Sequence, residues 1–370
     1  MRVLGLETSC DETAAAVVLE TGDPDRPWSM GSNVVASQVE IHREWGGVVP
    51  ELASRQHIRD ICGVVDRALE DAAVTWSDLD AIAVTQGPGL VGSLLIGVAF
   101  AKALAASLDV PLVPVHHLAG HIESLVLENG VMPLPAVVLV VSGGHTSLYL
   151  VPREGEYRLV GRTRDDAAGE AYDKVATLLG LEYPGGPVID RLARSGNDHA
   201  VSFPVARMTH ADRNVGPPLA VPAGFSGARR GRTDFSFSGL KTAVKRHVAR
   251  RRSTLGQVPL SAAEVADICA SFQRVVVETL VDRTFDTARW FGAASIGVAG
   301  GVSANSRLRA EVGQRGVAAG LPVYLPGLAL ATDNAAMIAA AGLRNLRAGL
   351  TAPLNLNAKA SLELGVGSTV

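Results

Sequence analysis

Cysteine, aromatic residues and long apolar runs are scarce in this sequence. Its 370 residues include three cysteines and 5% aromatic residues. Cys10, Cys62 and Cys269 share no spacing typical of a metal or disulfide motif, so we expect neither a structural zinc cluster nor a disulfide framework. No apolar run reaches the ~18 residues of a membrane span, and the N-terminal segment turns polar too soon for a signal peptide. These absences predict a cytoplasmic protein without a membrane segment.

Two common nucleotide-binding motifs are also missing. The sequence has no Walker-type Gly-Lys-Ser/Thr segment, so a P-loop NTPase is not expected. The glycine fingerprint of dinucleotide-binding proteins is absent from the first strand and turn. With 47% hydrophobic and 19% charged residues, the composition is nonetheless that of a globular protein, and the length suggests two domains.

The formal net charge of −3 does not mark the whole chain as a partner of polyanions, but the charge is unevenly distributed. Between residues 207 and 252, eleven Lys or Arg residues stand against two acidic residues, Asp212 and Asp234. Such a stretch is either a solvated loop and helix face or a surface for a phosphate backbone, and composition leaves both open. The part from 207 to 233 is rich in Pro, Gly and Arg without periodicity, which predicts a loop.

Each half of the sequence begins with a strand, a polar turn and a second strand. The two turns lie at 8–13 and 142–146. Each half later presents a strand, a glycine loop and a helix, with the loops at 86–90 and 300–305. This match of architecture indicates one α/β unit used twice. We expect a first lobe over 1–134, a second lobe over 135–325 that carries the nucleotide loops, an interlobe cleft, and a C-terminal helix and tail over 326–370 that return to the first lobe.

His117 and His121 are candidate metal ligands. On a helix, residues four apart lie on one face about 6 Å from each other, which suits one metal ion. The predicted strand before them, 112–115, delivers them to the edge where α/β sheets bind ligands. Asp333 is a candidate third ligand, although its position before the last predicted helix also suits an N-cap. A zinc-protease helix needs His-Glu-x-x-His, and Leu118 stands where that glutamate would be.

Two glycine loops are candidates for binding a nucleotide. The turn Ser142-Gly143-Gly144 would bring backbone N–H groups close to a phosphate. The loop at Gly300 opens a helix, whose N-terminus favours an anion. In the first polar turn, Asp11 and Glu12 are either solvated acids or groups directed at a substrate.

Motifs along nearly the whole chain resemble those of the TsaD family, the transferases that make N6-threonylcarbamoyladenosine in tRNA. They lie, in family order, at 4–13, 116–121, 140–146, 165–170, 183–187, 235–242, 300–305 and 332–334. The resemblance implies the duplicated, ribonuclease H-like α/β fold shared by actin, Hsp70 and sugar kinases, with a nucleotide in an interlobe cleft. It also implies transfer of threonylcarbamoyl from threonylcarbamoyl-AMP to N6 of adenosine 37 in tRNAs that read ANN codons.

The resemblance also implies roles for particular residues. His117, His121 and Asp333 would hold one divalent metal, Fe²⁺ before Zn²⁺. From the chemistry of this transfer, and not from the resemblance, we hypothesise that Asp11 or Glu12 takes the proton of the amine or orients the base. The residues that would contact the adenylate substrate are Val140, Val141, Ser142, Gly143, Gly144, Asp173, Gly186, Asp190 and Asn305.

The implied partners are tRNA, a catalytically inactive paralogue and a small ATPase. A helix over 45–59 is the candidate contact for the paralogue. The Arg-rich stretch at 212–232 is longer than the family pattern, and its role is open. Two other functions are weighed against the transferase: a nucleotide-binding actin-like scaffold or regulatory subunit, and a His-x-x-x-His metalloprotease.

Overall fold

The structure is a computed structural model, and it describes residues 1–205, 233–255 and 258–365. Apart from Thr233, the predicted basic loop at 207–233 lies outside these residues, as does the long Arg-rich stretch within it. The strands are β1 Arg2–Glu7, β2 Glu12–Glu20, β3 Trp28–Met30, β4 Val34–Ser37, β5 Ala81–Gly87, β6 Leu112–His116, β7 Ala136–Val141, β8 Thr146–Val151, β9 Arg158–Arg162, β10 Ser295–Ala299 and β11 Val323–Tyr324. The helices are α1 Val39–Arg43, α2 Pro50–Ala72, α3 Val91–Leu108, α4 His117–Asn129, α5 Ala168–Leu178, α6 Gly185–Ala193, α7 Ser238–Leu255, α8 Ala262–Phe291, α9 Ser306–Ala319, α10 Leu328–Ala331 and α11 Ala335–Arg347.

These elements form two compact units. Unit 1 consists of Met1–Pro133, Arg153–Arg158 and Tyr324–Val370, and unit 2 of Leu134–Pro152 and Leu159–Val323. The short segment Arg153–Arg158 follows a strand of unit 2, yet it groups with unit 1. The reason is that Glu154 accepts from Arg344 at 2.6 Å and the Tyr157 hydroxyl donates to Glu123 at 3.3 Å.

The two sheets repeat one topology. In unit 1 the order is β3-β2-β1-β5-β6, with β4 also paired to β2, and in unit 2 it is β11-β10-β7-β8-β9. The first strand of each unit, β1 or β7, pairs antiparallel with the next strand. On its other side it pairs parallel with a strand that arrives after a helix, β5 or β10. The duplication predicted from the sequence is therefore present in the pairing of the strands.

Helix α2 begins later than the predicted helix at 45–59. Pro50 is its first residue, and Val49 before it is extended, with φ −101° and ψ 108°. Proline lacks the N–H that an earlier turn would need, and it disfavours helical geometry in the residue before it. Pro50 opens the helix, as proline at a first helical position predicts, so only the part of 45–59 from Pro50 onward is helical in α2, and Trp45 lies in the turn between α1 and α2.

Among the residues that the structure describes, one helix, α3, is long and apolar enough to cross a membrane, judged by length and composition only. It spans 18 residues with a mean hydropathy of 1.9. It also carries Lys102, whose Nζ donates to the carbonyl of Leu356 at 3.2 Å. Core helices of globular proteins pass the same test, so this is weak evidence for a span.

Helix α11 lies directly on strand β1. A Cβ on Gly5 would lie 2.5 Å from the carbonyl oxygen of Ala335 and 2.6 Å from the amide nitrogen of Ala339. These distances are too short for any side chain, so glycine allows the helix to pack at this depth. Because α11 follows Asp333 after one residue, this packing also places Asp333.

We predict that Gly5→Ala lowers the free energy of unfolding by ~1–3 kcal/mol, because the new methyl group would clash with backbone atoms of α11 that cannot rotate away. Gly63→Ala is the control. No atom lies within 4 Å of a Cβ built at Gly63, which is within α2, so this change should be neutral or stabilise by up to ~1 kcal/mol. Urea unfolding followed by circular dichroism measures both. Equal stability of Gly5→Ala and the wild type would contradict the close packing.

Candidate active site

His117, His121 and Asp333 meet in unit 1. The Nε2 atom of His117 is 3.5 Å from Asp333 Oδ1, and Nε2 of His121 is 3.2 Å from the same oxygen. One ligand atom from each residue lies within 4.8 Å of the other two. His121 is fully buried, His117 is buried, and the Asp333 side chain is 20% exposed. The three residues are thus a candidate metal site, open only on the carboxylate side.

Local structure explains how the two histidines come to this place. Strand β6 ends at His116, and α4 starts at His117. His116 caps the helix, because its Nδ1 accepts the N–H of Leu118 at 3.1 Å. A Cβ on Gly120 would lie 2.8 Å from Ile338 Cδ1 on α11. Glycine between the two histidines therefore lets α11, and the Asp333 that precedes it, come close to α4.

Asp333 is not the N-cap of α11. The side chain of Asn334 takes that role, since its Oδ1 accepts the N–H of Met337 at 3.0 Å. The capping interpretation of Asp333 is wrong, and its carboxylate faces the histidines instead.

A metal ion fits the three residues. Two ligands at about 2.0–2.1 Å from a tetrahedral ion lie ~3.3–3.5 Å apart, close to both of the Nε2–Oδ1 distances. Neither ring nitrogen of His121 has a hydrogen-bond partner of acceptable geometry among the described residues. A buried polar atom without a partner costs free energy, and ligation through Nε2 would remove part of that cost.

Glu7 orients His117, and it is a site residue that the sequence analysis missed. Its Oε2 lies 3.0 Å from Nδ1 of His117. The fully buried carboxylate also accepts the N–H of Ser9 at 2.5 Å and the hydroxyl of Thr85 at 2.8 Å. A carboxylate that holds Nδ1–H leaves Nε2 as the free lone pair that a metal needs.

The charges around His117 favour a cation. Burial alone would lower the pKa of His117, but the carboxylates of Asp333 and Glu7 outweigh burial and raise that pKa to about 9. An imidazole must be neutral to bind a metal, so a metal ion at Nε2 of His117 would replace the proton that Nε2 carries in the imidazolium form. The two carboxylates that favour the proton would favour the metal in the same way.

Asp11 and Glu12 lie close together in the first polar turn. Burial, the charge of Asp11 and the charge of Asp333 raise the pKa of Glu12 well above its usual range, although a hydrogen bond from Ser37 opposes this. The two neighbouring carboxyl groups thus form an acidic turn in which the ionised form of Glu12 is disfavoured. Burial, with Asp11 beside it, also raises the pKa of the Cys10 thiol, which makes Cys10 a poor nucleophile.

A buried polar network holds this turn in place. His57 of α2 is fully buried. Its Nδ1 is 2.8 Å from the Thr13 hydroxyl and its Nε2 is 3.0 Å from the carbonyl of Cys10. Gln38 joins through its Nε2, 3.4 Å from His57 Nδ1. The network fixes both ends of the segment that carries the two acids.

The predicted phosphate turn follows β7 in unit 2. Ser142 donates its N–H to the carbonyl of His145 at 2.8 Å, which closes a tight turn, and Gly143 and Gly144 are exposed. The N-terminus of α5 packs against this turn, because Gly169 donates to the carbonyl of Ser142 at 3.2 Å and a Cβ on Gly169 would lie 2.6 Å from that oxygen. Val140 and Val141 are fully buried in the strand before it, so their side chains belong to the core.

The remaining predicted substrate residues lie in two groups in unit 2. Asp173 accepts the N–H of Gly185 at 2.8 Å, next to the half-buried Gly186, where no atom lies within 4 Å of a built Cβ. Gln273 links the other two, since it donates to Asp190 at 3.1 Å and accepts from Asn305 at 2.8 Å. Asn305 also caps α9. Gln273, which the sequence analysis missed, is thus the residue that joins Asp190 to Asn305.

The described residues define a class of protein: two α/β units of one topology, of which unit 1 carries a candidate metal centre. Residues 29–340 match the family described as TsaD: tRNA N6-adenosine threonylcarbamoyltransferase. The chain belongs to this family. The protein of this name from Koribacter versatilis (strain Ellin345) is 47% identical over 388 residues, which cover 98% of each chain. The one from Anaeromyxobacter dehalogenans (strain 2CP-C) is 50% identical over 364 residues, 98% of this chain and 99% of that protein.

A solved structure supports the fold. The crystal structure of full-length HypF in the phosphate- and nucleotide-bound form superposes with a TM-score of 0.55 at 12% identity, over 94% of this chain and 46% of that one. At this identity the similarity concerns the fold alone. The predicted fold class, a duplicated α/β fold of the actin type, is confirmed.

We predict that Glu7→Gln weakens metal binding by ~10- to 100-fold, the usual effect of losing a carboxylate that orients a metal-bound histidine. Titration of the metal-free protein with Co²⁺, followed by visible absorption and competition with a chelator, measures the affinity. Glu154→Gln is the control, because that carboxylate pairs with Arg344 instead. An unchanged Co²⁺ affinity in Glu7→Gln would rule out the orienting role.

Proposed function

We propose that this protein transfers the threonylcarbamoyl group from threonylcarbamoyl-AMP to N6 of adenosine 37 in tRNAs that read ANN codons, with release of AMP. Membership of the family supports this activity. The observation that carries it is the meeting of His117, His121 and Asp333 beside an acidic turn. The protein is then an acyltransferase that works on an already activated substrate.

The reaction joins a weak nucleophile to a reactive carbonyl. The lone pair of the N6 amine is delocalised into adenine, whereas AMP is a good leaving group. The new C–N bond forms as the C–O bond to AMP breaks, and the amine loses one proton. Catalysis therefore requires alignment of the two substrates, acceptance of that proton and stabilisation of the negative charge on oxygen.

The residues of this chain suit those tasks. We assign acceptance of the amine proton to Asp11, and orientation of the base to Glu12, whose pKa is raised by burial and by the charges of Asp11 and Asp333. The exposed backbone of Gly143 and Gly144 would bind the phosphate of the adenylate. The other adenylate contacts that we propose are Val140, Val141, Ser142, Asp173, Gly186, Asp190 and Asn305.

We propose iron as the metal held by His117, His121 and Asp333, with zinc as the other candidate. Imidazole nitrogen and carboxylate oxygen together suit either ion. When bound, the metal would supply Lewis-acid polarisation of a phosphate or carbonyl oxygen of the substrate. Metal analysis of protein purified without oxygen distinguishes the two ions.

Two other functions have less support. A metalloprotease needs a general base after the first histidine, and Leu118 at that position is a buried apolar residue. An actin-like scaffold would bind nucleotide without needing a metal set or a raised pKa at Glu12. No observation favours the protease or the scaffold over the transferase.

We propose further that the protein works in the cytoplasm with tRNA, an inactive paralogue and a small ATPase. Trp45 and Ile58 support a protein contact near the start of α2, because they are 62% and 60% exposed. Exposed large apolar side chains in one segment are typical of an interface. Pull-down of the purified paralogue by the wild type and by Trp45→Ala tests this contact.

We expect His117→Ala to lower tRNA modification by ~100-fold or more, because it removes a metal ligand and the partner of Glu7. The assay contains tRNA, threonine, bicarbonate, ATP and the synthetase that makes the adenylate, with mass spectrometry of the tRNA nucleosides as the readout. His199→Ala, which changes a histidine whose side chain is 75% exposed, should keep full activity. Full activity in His117→Ala would contradict the proposed role of the metal centre.

A second variant tests the acidic turn. We expect Asp11→Ala, supplied with synthetic threonylcarbamoyl-AMP and tRNA, to transfer the group at least ~100-fold more slowly with unchanged metal content, since the amine proton loses its acceptor. Asp60→Ala, which removes a carboxylate from α2 that accepts from Gln56, serves as a control for loss of one carboxylate. Undiminished transfer by Asp11→Ala would remove Asp11 from the chemistry.

A further inference from the structure

Helix α7 carries a concentration of positive charge that no part of the site explains. Its 18 residues contain Lys241, Lys245, Arg246, Arg250, Arg251 and Arg252, and no acidic residue. The chain as a whole has a net charge of −3. The five arginines between 207 and 233 lie outside the described residues.

The helix has one buried side and one basic side. Leu240, Val244 and Val248 are buried at intervals of four residues and attach α7 to unit 2. Lys245, Arg246 and Arg250 are exposed. At 100° per residue, Arg246 lies nearly opposite the centre of this buried seam, and Lys245 and Arg250 lie to either side of it. The three cations therefore span the exposed side of the helix, which we call its basic face.

This face does not help the helix to fold. Lys241 and Lys245, like Arg246 and Arg250, are like-charge pairs four residues apart, and each such pair destabilises a helix by ~0.2–0.5 kcal/mol. Arg251 is paired with an acid, since its Nε lies 2.7 Å from Glu264. Charge that lowers the stability of its own element points to a binding role.

The N-terminus of α7 is attached to the segment that precedes α5 in unit 2. Asp165 accepts four hydrogen bonds, from the N–H and hydroxyl of Ser238, the hydroxyl of Ser236 and the N–H of Phe237, at 2.5–3.2 Å. Despite burial, these donors hold the pKa of Asp165 below its usual range. The chain continues from Asp165 into α5, whose Gly169 packs on Ser142.

We propose that the basic face of α7, defined by Lys245, Arg246 and Arg250, binds the sugar-phosphate backbone of the tRNA substrate. A row of cations on a rigid helix suits the regular charge of a nucleic-acid backbone. The attachment through Asp165 holds the bound RNA at a constant position relative to the phosphate turn. This inference rests on the proposed function and adds to it the surface that binds the acceptor.

The test is a triple variant, Lys245→Ala with Arg246→Ala and Arg250→Ala, in the full chain. All three side chains are exposed, so the fold should be retained. Filter binding of an unmodified tRNA transcript across a series of KCl concentrations gives Kd and its salt dependence. We expect Kd to rise about tenfold or more, and the slope of log Kd against log salt to fall by roughly 2 to 3, one per lost phosphate contact.

The control removes the same charge elsewhere. Arg153→Ala with Arg289→Ala and Arg315→Ala changes three exposed arginines that pair with acids away from α7. It should leave Kd within about twofold of the wild type, with an unchanged salt slope. An equal loss in the control and in the α7 variant would mean that only net charge matters, and would overturn the proposal.

Transfer assays separate this proposal from the proposed function. In the α7 variant the KM for tRNA should rise while kcat at saturating tRNA is retained. If the wild type modifies tRNA and the α7 variant matches it in KM, Kd and salt slope, the basic face does not bind RNA. If the α7 variant instead loses only binding to phosphatidylglycerol vesicles, the face binds a membrane. If the wild type itself fails to modify or bind tRNA, the proposed function fails first.

Discussion

The candidate metal centre depends on how closely α11 packs against β1 and α4. Asp333 stands just before α11 and the histidines stand on α4, so their distances follow from the packing of these elements. Glycine at positions 5 and 120 allows the approach, because any side chain there would meet atoms of α11. Farther along the same two helices, Arg344 and Glu123 form a buried ion pair at 2.6 Å. Helices α4 and α11 are thus held together both by the close packing at Gly120 and by the ion pair between Glu123 and Arg344.

The same part of unit 1 buries charged and polar groups that would cost free energy without partners. Glu7 is fully buried, and its cost is offset by donors from Ser9, Thr85 and His117. Apolar residues of similar size would often stabilise a core as well as such a network does. Polar groups held in a network next to a candidate metal site, with a raised pKa at Glu12, are characteristic of a functional site.

Unit 2 presents different chemical groups at the turn that corresponds to the acidic turn of unit 1. Its first turn, at Ser142, presents exposed glycine backbone where unit 1 presents acids. The N-termini of α5 and α7 are both fastened near this turn, through Gly169 and Asp165. Two of the sequence motifs that mark the family, at 165–170 and 235–242, are therefore one structural feature. Asp165 of the first motif accepts hydrogen bonds from Phe237 and Ser238 of the second, at the start of α7, where backbone N–H groups have no partner within the helix.

The sequence by itself determined the features that depend on neighbours along the chain: the repeated strand–turn–strand pattern, the pairing of His117 with His121 on one helix face, and the bounds of α11 at Ala335–Arg347. Local periodicity and capping chemistry are enough for these. Only the tertiary structure decided that Asn334 caps α11 and that Glu7 orients His117. A carboxylate at the end of a strand or before a helix has the same local pattern whether it is solvated, capping or facing a metal. Its role is set by which distant side chains the packed helices and strands bring within about 3 Å of it.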